Sequence, residues 1–319
     1  LMSVNGENEY LRKAMVAGAK DYLVKPFGAD ELVETVYRCW KREWQRRVTQ
    51  ARPQAQAVKP MGKVLTVYSP KGGVGKTTVA VNTAAALTSD RRRKVCVIDL
   101  NLYAGDVAVF LSLIPRRTIS DLASEQNVDR DTFLTYLLSH PSGIKVLPAP
   151  LRPEHAEYVV VDQVAKIVNI ARELFDYVVI DTPSSFQDVV ISALDLADQV
   201  LLVSTMDMAS LKNTKLALQV MRQLNYTDEK FTVIINKASY DCGIKFADVQ
   251  PSLGRAADIF IPDEQGIAVA ALNRGMPFVL EQPGGKLSGK YIELVRDHIE
   301  EREEKAGGLF GWRRRREAK

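Results

Sequence analysis

The most constraining stretch of this chain is Pro70-Lys71-Gly72-Gly73-Val74-Gly75-Lys76-Thr77-Thr78. An apolar, β-rich run from Lys63 to Ser69 leads into it, and an Ala/Val/Thr-rich segment with helical spacing, Thr78 to Thr88, follows. Strand, glycine-rich loop and helix is the context in which Gly-Lys-Thr becomes a phosphate site. Gly72, Gly73 and Gly75 let the backbone turn tightly and aim its N–H groups inward, where they cradle phosphate oxygens. The helix that starts near Lys76 points the positive end of its dipole at the same place. Lys76 is placed to reach the β/γ-phosphates, and the Thr77 hydroxyl to hold Mg²⁺.

The remaining strands are read from short apolar runs. Val95 to Leu100 is a buried strand with Asp99 at its carboxyl end, where open parallel sheets put their ligands. Tyr177-Val178-Val179-Ile180-Asp181 is a central parallel strand that carries a carboxylate at its tip, and Asp181 is the second expected Mg²⁺ contact, through water. Ile144–Leu147, Gln199–Ser204, Phe231–Asn236 and Asp258–Ile261 are further strands. Amphipathic helices are expected over Val161–Leu174 and Ser210–Leu224, and a last one from Leu287 to Lys305. Strands alternating with helices predict an α/β fold, a doubly wound, mostly parallel sheet with helices on both faces. Asp106 is read either as a contributor to the chemistry near Asp99 or as a helix cap. His140 and His155 have no ligand-like neighbours and read as surface or capping residues.

Composition narrows the classes. With 319 residues, 46% hydrophobic and 26% charged, the chain has room for one large domain and a smaller piece. No stretch reaches the ~18 consecutive apolar residues of a membrane span, and no signal peptide is expected at the N-terminus. Cys39, Cys96 and Cys242 have neither disulfide nor metal-ligand spacing, and read as buried thiols in a reducing cytoplasm. The last eleven residues, 309–319, hold five basic side chains against one acidic, which equals the net charge of +4 of the whole chain. The body is therefore not a bulk-charge nucleic-acid binder, and nucleic acid is the less expected partner. The tail combines Leu309, Phe310 and Trp312 with four arginines. It is read as a membrane-surface contact, as a solvated tail, or as a basic patch for protein or nucleic acid.

Lys71 at the start of the loop is the departure from a plain phosphate loop. KGGVGKTT resembles the deviant Walker A loop of the MinD/ParA superfamily of ATPases. The resemblance implies ATP and Mg²⁺ as cofactors, bound through Lys71, Gly72, Gly73, Val74, Gly75, Lys76, Thr77 and Thr78. It also implies a homodimer, with Lys71 reaching the partner's nucleotide. Asp99-Leu100-Asn101 falls on the first switch, usually written Asp-x-Asp, whose second aspartate orients the attacking water. Asn101 can hydrogen-bond a water but cannot take its proton. Lys71, Lys76, Asp99 and Asn101 are thus the catalytic candidates of an ATPase expected to be slow. Thr182 to Ser185 corresponds to the second switch. The resemblance carries adenine reading to Asn236 and a second base contact to Pro262 and Asp263, a segment that also reads as a plain turn.

Residues 1–47 resemble the C-terminal part of a response-regulator receiver domain, through Ala17-Gly18-Ala19-Lys20-Asp21-Tyr22-Leu23-Val24-Lys25-Pro26-Phe27. Ser3 and Tyr22 fall on the receiver's switch residues, and Lys25 on its acylphosphate contact, followed by a proline whose peptide is usually cis. Residues 48–62 read as a Pro/Gln linker, 63–306 as the ATPase domain and 307–319 as a flexible tail. A receiver-like piece joined to this ATPase resembles the CpaE/TadZ family of Flp (Tad, type IVb) pilus assembly, as do Asp99 to Ala108 and Leu147-Pro148-Ala149-Pro150. That resemblance implies pilus and secretion proteins as partners, in the cytoplasm or peripherally at the inner membrane face or a pole. A partition or division-site ATPase and a non-hydrolysing ATP-dependent scaffold are the rival readings. A tyrosine kinase would need a terminal tyrosine cluster where this chain has Tyr291, and an iron–sulfur reductase would need paired cluster cysteines.

Overall fold

The computed structural model describes residues 2–3, 23–28, 35, 61–90 and 93–300. They divide into two units, Leu1–Pro60 and Met61–Lys319. In the first, β1 (Met2–Ser3) pairs in parallel with β2 (Leu23–Val24), so that Ser3 lies opposite Val24. The Lys25–Pro26 peptide beyond β2 is cis. Leu23 is buried, while Val24 and Lys25 are exposed. Tyr22, Cys39, the expected linker up to Pro60 and the tail at 307–319 lie outside the described residues.

The second unit opens with β3 (Lys63–Tyr68), α1 (Lys76–Leu87) and β4 (Val95–Asp99). Short helices follow, α2 (Val107–Phe110), α3 (Ile119–Ala123) and α4 (Arg130–Thr135), then the hairpin of β5 (Leu138–Ser139) and β6 (Lys145–Leu147). Next come α5 (Val161–Leu174), β7 (Tyr177–Asp181), α6 (Asp188–Leu196), β8 (Gln199–Thr205) and α7 (Met208–Gln223). The last strands are β9 (Phe231–Ala238) and β10 (Ile259–Pro262), with α8 (Phe246–Leu253) between them. Three helices, α9 (Gln265–Arg274), α10 (Phe278–Glu281) and α11 (Lys286–Glu293), close the unit.

The sheet runs β10-β9-β8-β3-β7-β4-β6-β5, parallel throughout except for the β5–β6 pair. From β3 the chain winds first toward β4 and β6, returns through β7 beside β3, and then builds outward on the other side. The reversal leaves a crevice at the carboxyl ends of the central strands, next to β3. The edges are blunt: β5 has two residues, and β10 ends in Pro262.

Alternation along the strands gives the sheet two apolar faces. Leu65, Val67, Val97 and Val179 join the face covered by α1, α10 and α11. Val64, Ile98, Val178 and Ile180 join the face covered by α3, α4 and α5. Tyr68, Leu202 and Val233 pack beneath α6, α7 and α8. Each such side chain contributes roughly 1.5–3 kcal/mol of burial. Helix α1 is buried at every position from Val79 to Leu87, as a helix between sheet and outer helices must be.

Several expectations are corrected. The long helix begins at Met208 rather than Ser210, because Asp207 caps it by accepting from the Ser210 amide at 2.9 Å. The last α-helix ends at Glu293 and continues as a π-helical segment over Leu294–Glu300. His140 is buried, not at the surface: its ring sits between the Ser142 hydroxyl and the Gly275 carbonyl, tying the β5–β6 turn to the end of α9. Burial lowers its pKa. Cys96 is buried, but Cys242 is exposed. The short antiparallel strand β5 lacks the apolar run by which the other strands are recognised.

Candidate functional site

The glycine loop leaves β3 and enters α1 through two left-handed residues, Gly73 (φ 76°) and Gly75 (φ 95°). Side chains rarely adopt that conformation. At Gly75 space is also absent, since a Cβ there would overlap the Asn236 side-chain amide. Asn236, at the end of β9, donates from Nδ2 to the Val74 carbonyl at 2.7 Å. Lys237 beside it, itself at φ 51°, donates to the Gly73 carbonyl at 3.1 Å. The loop is thereby held from β9.

That cleft, of about 450 Å³, is lined by Gly72, Gly73, Gly75, Lys76, Thr77 and Thr78 on one wall. Asn101, Asp106 and Ser184 approach from the loops after β4 and β7, and Asn236, Lys237, Pro262 and Asp263 from the far end. The sequence therefore names residues from five separate segments that the fold brings to one cleft. Lys76 reaches the Ser184 hydroxyl at 2.7 Å, and burial lowers its pKa while the Asp181 charge opposes the shift. Thr182, at the start of the loop after β7, donates to the Val67 carbonyl at 2.7 Å and so fastens that loop to β3.

Below the cleft floor, Asp99 and Asp181 stand opposite each other on neighbouring strands, both buried. Thr77 donates its hydroxyl to Asp181 Oδ2 at 2.7 Å, while Asp181 Oδ1 is buried with no hydrogen-bond partner. Burial pushes the Asp181 carboxyl up to about 6, against the Thr77 hydrogen bond and the Lys76 charge. Burial and then the Asp181 charge push Asp99 well above the usual carboxylate range. A buried carboxylate with one orphaned oxygen, Asp181, beside the Thr77 hydroxyl forms a donor set that suits a hard divalent cation with its waters. The residues present thus fit Mg²⁺.

Asp99 does not line the cleft. Its Oδ1 accepts from the Asn101 amide at 3.0 Å and its Oδ2 from the Val107 amide at 3.1 Å, so it shapes the loop between β4 and α2. Asn101 lines the cleft, and its Nδ2 is committed to the Ala104 carbonyl at 2.5 Å. Val74 is buried and offers its backbone. Lys71 is not among the cleft residues: its ammonium lies 2.7 Å from Asp207 Oδ1, beyond β8.

Sequence reasoning named Ser184 only within the segment Thr182 to Ser185, gave Lys237 no side-chain role and missed Asp207. Ser184 and Lys237 sit next to strand-end motifs that were legible, whereas nothing local marks Asp207 as the Lys71 partner. Among the described residues, no group of three or more His, Cys, Asp or Glu side chains is arranged to hold a metal ion. No helix among them is long and apolar enough to cross a membrane.

Comparison with known proteins extends this geometry. The chain is 28% identical over 243 residues to the septum site-determining protein MinD of Thermotoga maritima, across 74% of this chain and 88% of that one. The cell division ATPase MinD of Pyrococcus furiosus superposes with a TM-score of 0.66 at 25% identity, covering 76% of this chain and 99% of the other. The septum site-determining protein MinD of Pyrococcus horikoshii, solved with Mg-ADP, superposes at 0.65 with 20% identity over 75% and 96%. The ParA family model, described as NUBPL iron-transfer P-loop NTPase, matches residues 60–283. The match spans more than half of the chain and takes in the whole glycine loop and both strand-end carboxylates, and the chain belongs to the ParA family of P-loop NTPases.

Proposed function

We propose that this chain is an ATP-binding and ATP-hydrolysing switch that closes two protomers over nucleotide, and that its output is to position or help assemble the Flp (Tad, type IVb) pilus secretion machinery. The observation that carries the switch is the split between two lysines. Lys76 serves its own cleft, while Lys71 stands outside it on Asp207, available for exchange to a second copy. Lys76, the loop amides and Thr77 would hold the phosphates, and Thr77 and Asp181 would hold Mg²⁺. When bound, Mg²⁺ neutralises phosphate charge. Asn236, Pro262 and Asp263 would face the base. Ser184, bonded to Lys76, couples the γ-phosphate position to the second switch, which makes the dimer a ligand-biased two-state element.

The pilus assignment draws on the receiver-like strand pair, on the switch string Asp99 to Ala108 and on Leu147-Pro148-Ala149-Pro150. A second reading, a partition or division-site ATPase acting on nucleoid or membrane, draws on the MinD relatives. A third, a non-hydrolysing scaffold, draws on Asn101. Phosphate release and oligomeric state, measured together with ATP, separate the switch from the scaffold. Lys76→Ala should abolish nucleotide binding, and a mutant that binds ATP normally refutes the site. Pili lost on deletion and restored by wild type, but not by Lys76→Ala, support the pilus output. ATP-dependent DNA binding would favour partition instead. For a peripheral membrane location, liposome flotation with and without residues 309–319 decides, and equal binding rejects the tail as the contact.

A further inference from the structure

We propose that Asp106 is the residue that accepts the attacking water in this chain, the part for which Asn101 lacks a proton acceptor. The inference rests on the ATPase reading above. Asp106 is held beside Asp99 from both directions. On one side a Cβ at Gly105 would lie 2.6 Å from Asp99 Oδ2, so this backbone is pressed against the buried carboxylate. On the other side the Val107 amide donates to that same oxygen. The residue between them cannot drift far from the paired acids.

Its carboxylate is uncommitted. Asp106 occupies the cap position of α2, yet its side chain makes no cap hydrogen bond, and none reaches it from the described residues. A capping role would have consumed it. Instead it lines the cleft with Lys76, Thr77, Asn101 and Ser184, and its charge adds to the upward shifts of Asp99 and Asp181. The other acids of the region are placed differently. Both Asp99 oxygens accept backbone amides, Asp181 lies beneath Thr77, and Asp263 and Glu264 belong to the β10–α9 loop at the base end. Asn101 Nδ2 is spent on Ala104, which leaves an amide oxygen that can orient a water but not hold its proton.

In the step this permits, the water oxygen bonds to the γ-phosphorus as the bond from that phosphorus to the β–γ bridging oxygen breaks. The electron pair stays on the oxygen that becomes the terminal oxygen of ADP. One water proton passes to the Asp106 carboxylate and then to solvent, and the products are ADP, inorganic phosphate and that proton.

The test measures phosphate release under saturating Mg-ATP, and the affinity for a fluorescent ATP analogue, on the full chain. Asp106→Asn should lower kcat on the order of 10²-fold, the scale of a positioned proton acceptor, while nucleotide affinity changes less than about threefold. Adding Asn101→Asp to that variant returns a carboxylate to the water and should restore turnover. An Asp106→Asn protein with wild-type kcat, or one that loses affinity in proportion to turnover, overturns the inference and leaves the ATPase reading standing. Wild-type protein that binds ATP and releases no phosphate overturns the ATPase reading and the inference with it.

Discussion

The Lys71 ammonium and Asp207 Oδ1 stand 2.7 Å apart, and neither residue lines the cleft that Lys76 enters. The contact is a built one. Asp207 also accepts from the Thr205 hydroxyl at 2.7 Å and from the Ser210 amide. Burial opposes its ionisation, but hydrogen bonds from Lys71, Thr205 and Ser210 hold its pKa below the usual value. The pair is nevertheless solvent-accessible, with side chains 35% and 43% exposed. Such pairs contribute at most about 1 kcal/mol, so Lys71 can be released at small cost.

Asp207→Asn keeps an acceptor for the α7 cap and weakens the hold on the lysine. It should shift ATP-dependent self-association to a protein concentration up to about fivefold lower. Lys71→Ala should bind ATP as a monomer and fail to dimerise. Sedimentation velocity with and without ATP reads both. If self-association is unchanged in the two variants, Lys71 plays no part in it.

A methyl group separates the roles of two loop glycines. Gly75→Ala must place a Cβ into the Asn236 amide at a left-handed φ of 95°. A strained position of this kind costs about 1–3 kcal/mol, and the clash displaces the residue that braces the loop. Gly72→Ala has nothing nearer than Ser184 Oγ at 3.9 Å. Denaturant midpoints should therefore fall for Gly75→Ala and hold for Gly72→Ala. Equal stabilities would mean that the loop relaxes around the added carbon.

Much of this site was legible because its determinants are local. Glycines, Lys76 and Thr77 lie within one loop, and Asp99 and Asp181 each end an apolar run, so strand periodicity alone places them at one sheet edge. What could not be read was how the polar atoms divide. Asn101 Nδ2 turning to Ala104 and Asp99 spending both oxygens on nearby backbone amides are rotamer choices within one loop, and Lys71 choosing Asp207 depends on packing 136 positions away. His140 was misjudged for the same reason: its burial depends on Gly275, 135 positions away. The short antiparallel strand at residues 138–139 carries too few residues for any periodicity.

Protonation of the buried acid pair should make nucleotide binding pH-dependent. Asp181 is raised from an ordinary 3.8 to about 6. Because the folded pKa is the higher, the ligand-free protein gains stability from this group at acid pH and loses it as pH rises through about 6. Cation binding needs the ionised form and runs the other way. Mg-ATP affinity should thus climb between about pH 5 and about pH 7 and then level off. Asp181→Asn should be weak and flat across that range. Fluorescent-nucleotide titrations with Mg²⁺ or EDTA at each pH supply the check, and a pH-independent wild type would remove Asp181 as the titrating contact.

Asn236 carries two duties that one substitution can separate from simple loss of bulk. Its Nδ2 donates to Val74 at 2.7 Å, and its side chain packs against Gly75. The residue is buried, which leaves Oδ1 as the acceptor with which it would meet an adenine amine. Asn236→Ala loses both contacts but introduces no charge. Asn236→Asp keeps the shape and the acceptor, yet sets a carboxylate against the Val74 carbonyl with no donor between them. An unpaired buried charge is penalised more heavily than a missing hydrogen bond, which is worth about 1–3 kcal/mol. The aspartate variant should therefore bind ATP more weakly than the alanine variant, despite its closer resemblance to asparagine. The alanine variant should also narrow the preference for ATP over GTP. Calorimetric titration of both variants with the two nucleotides reads the order, and an aspartate variant that binds as wild type would show that the Val74 contact does not hold the loop.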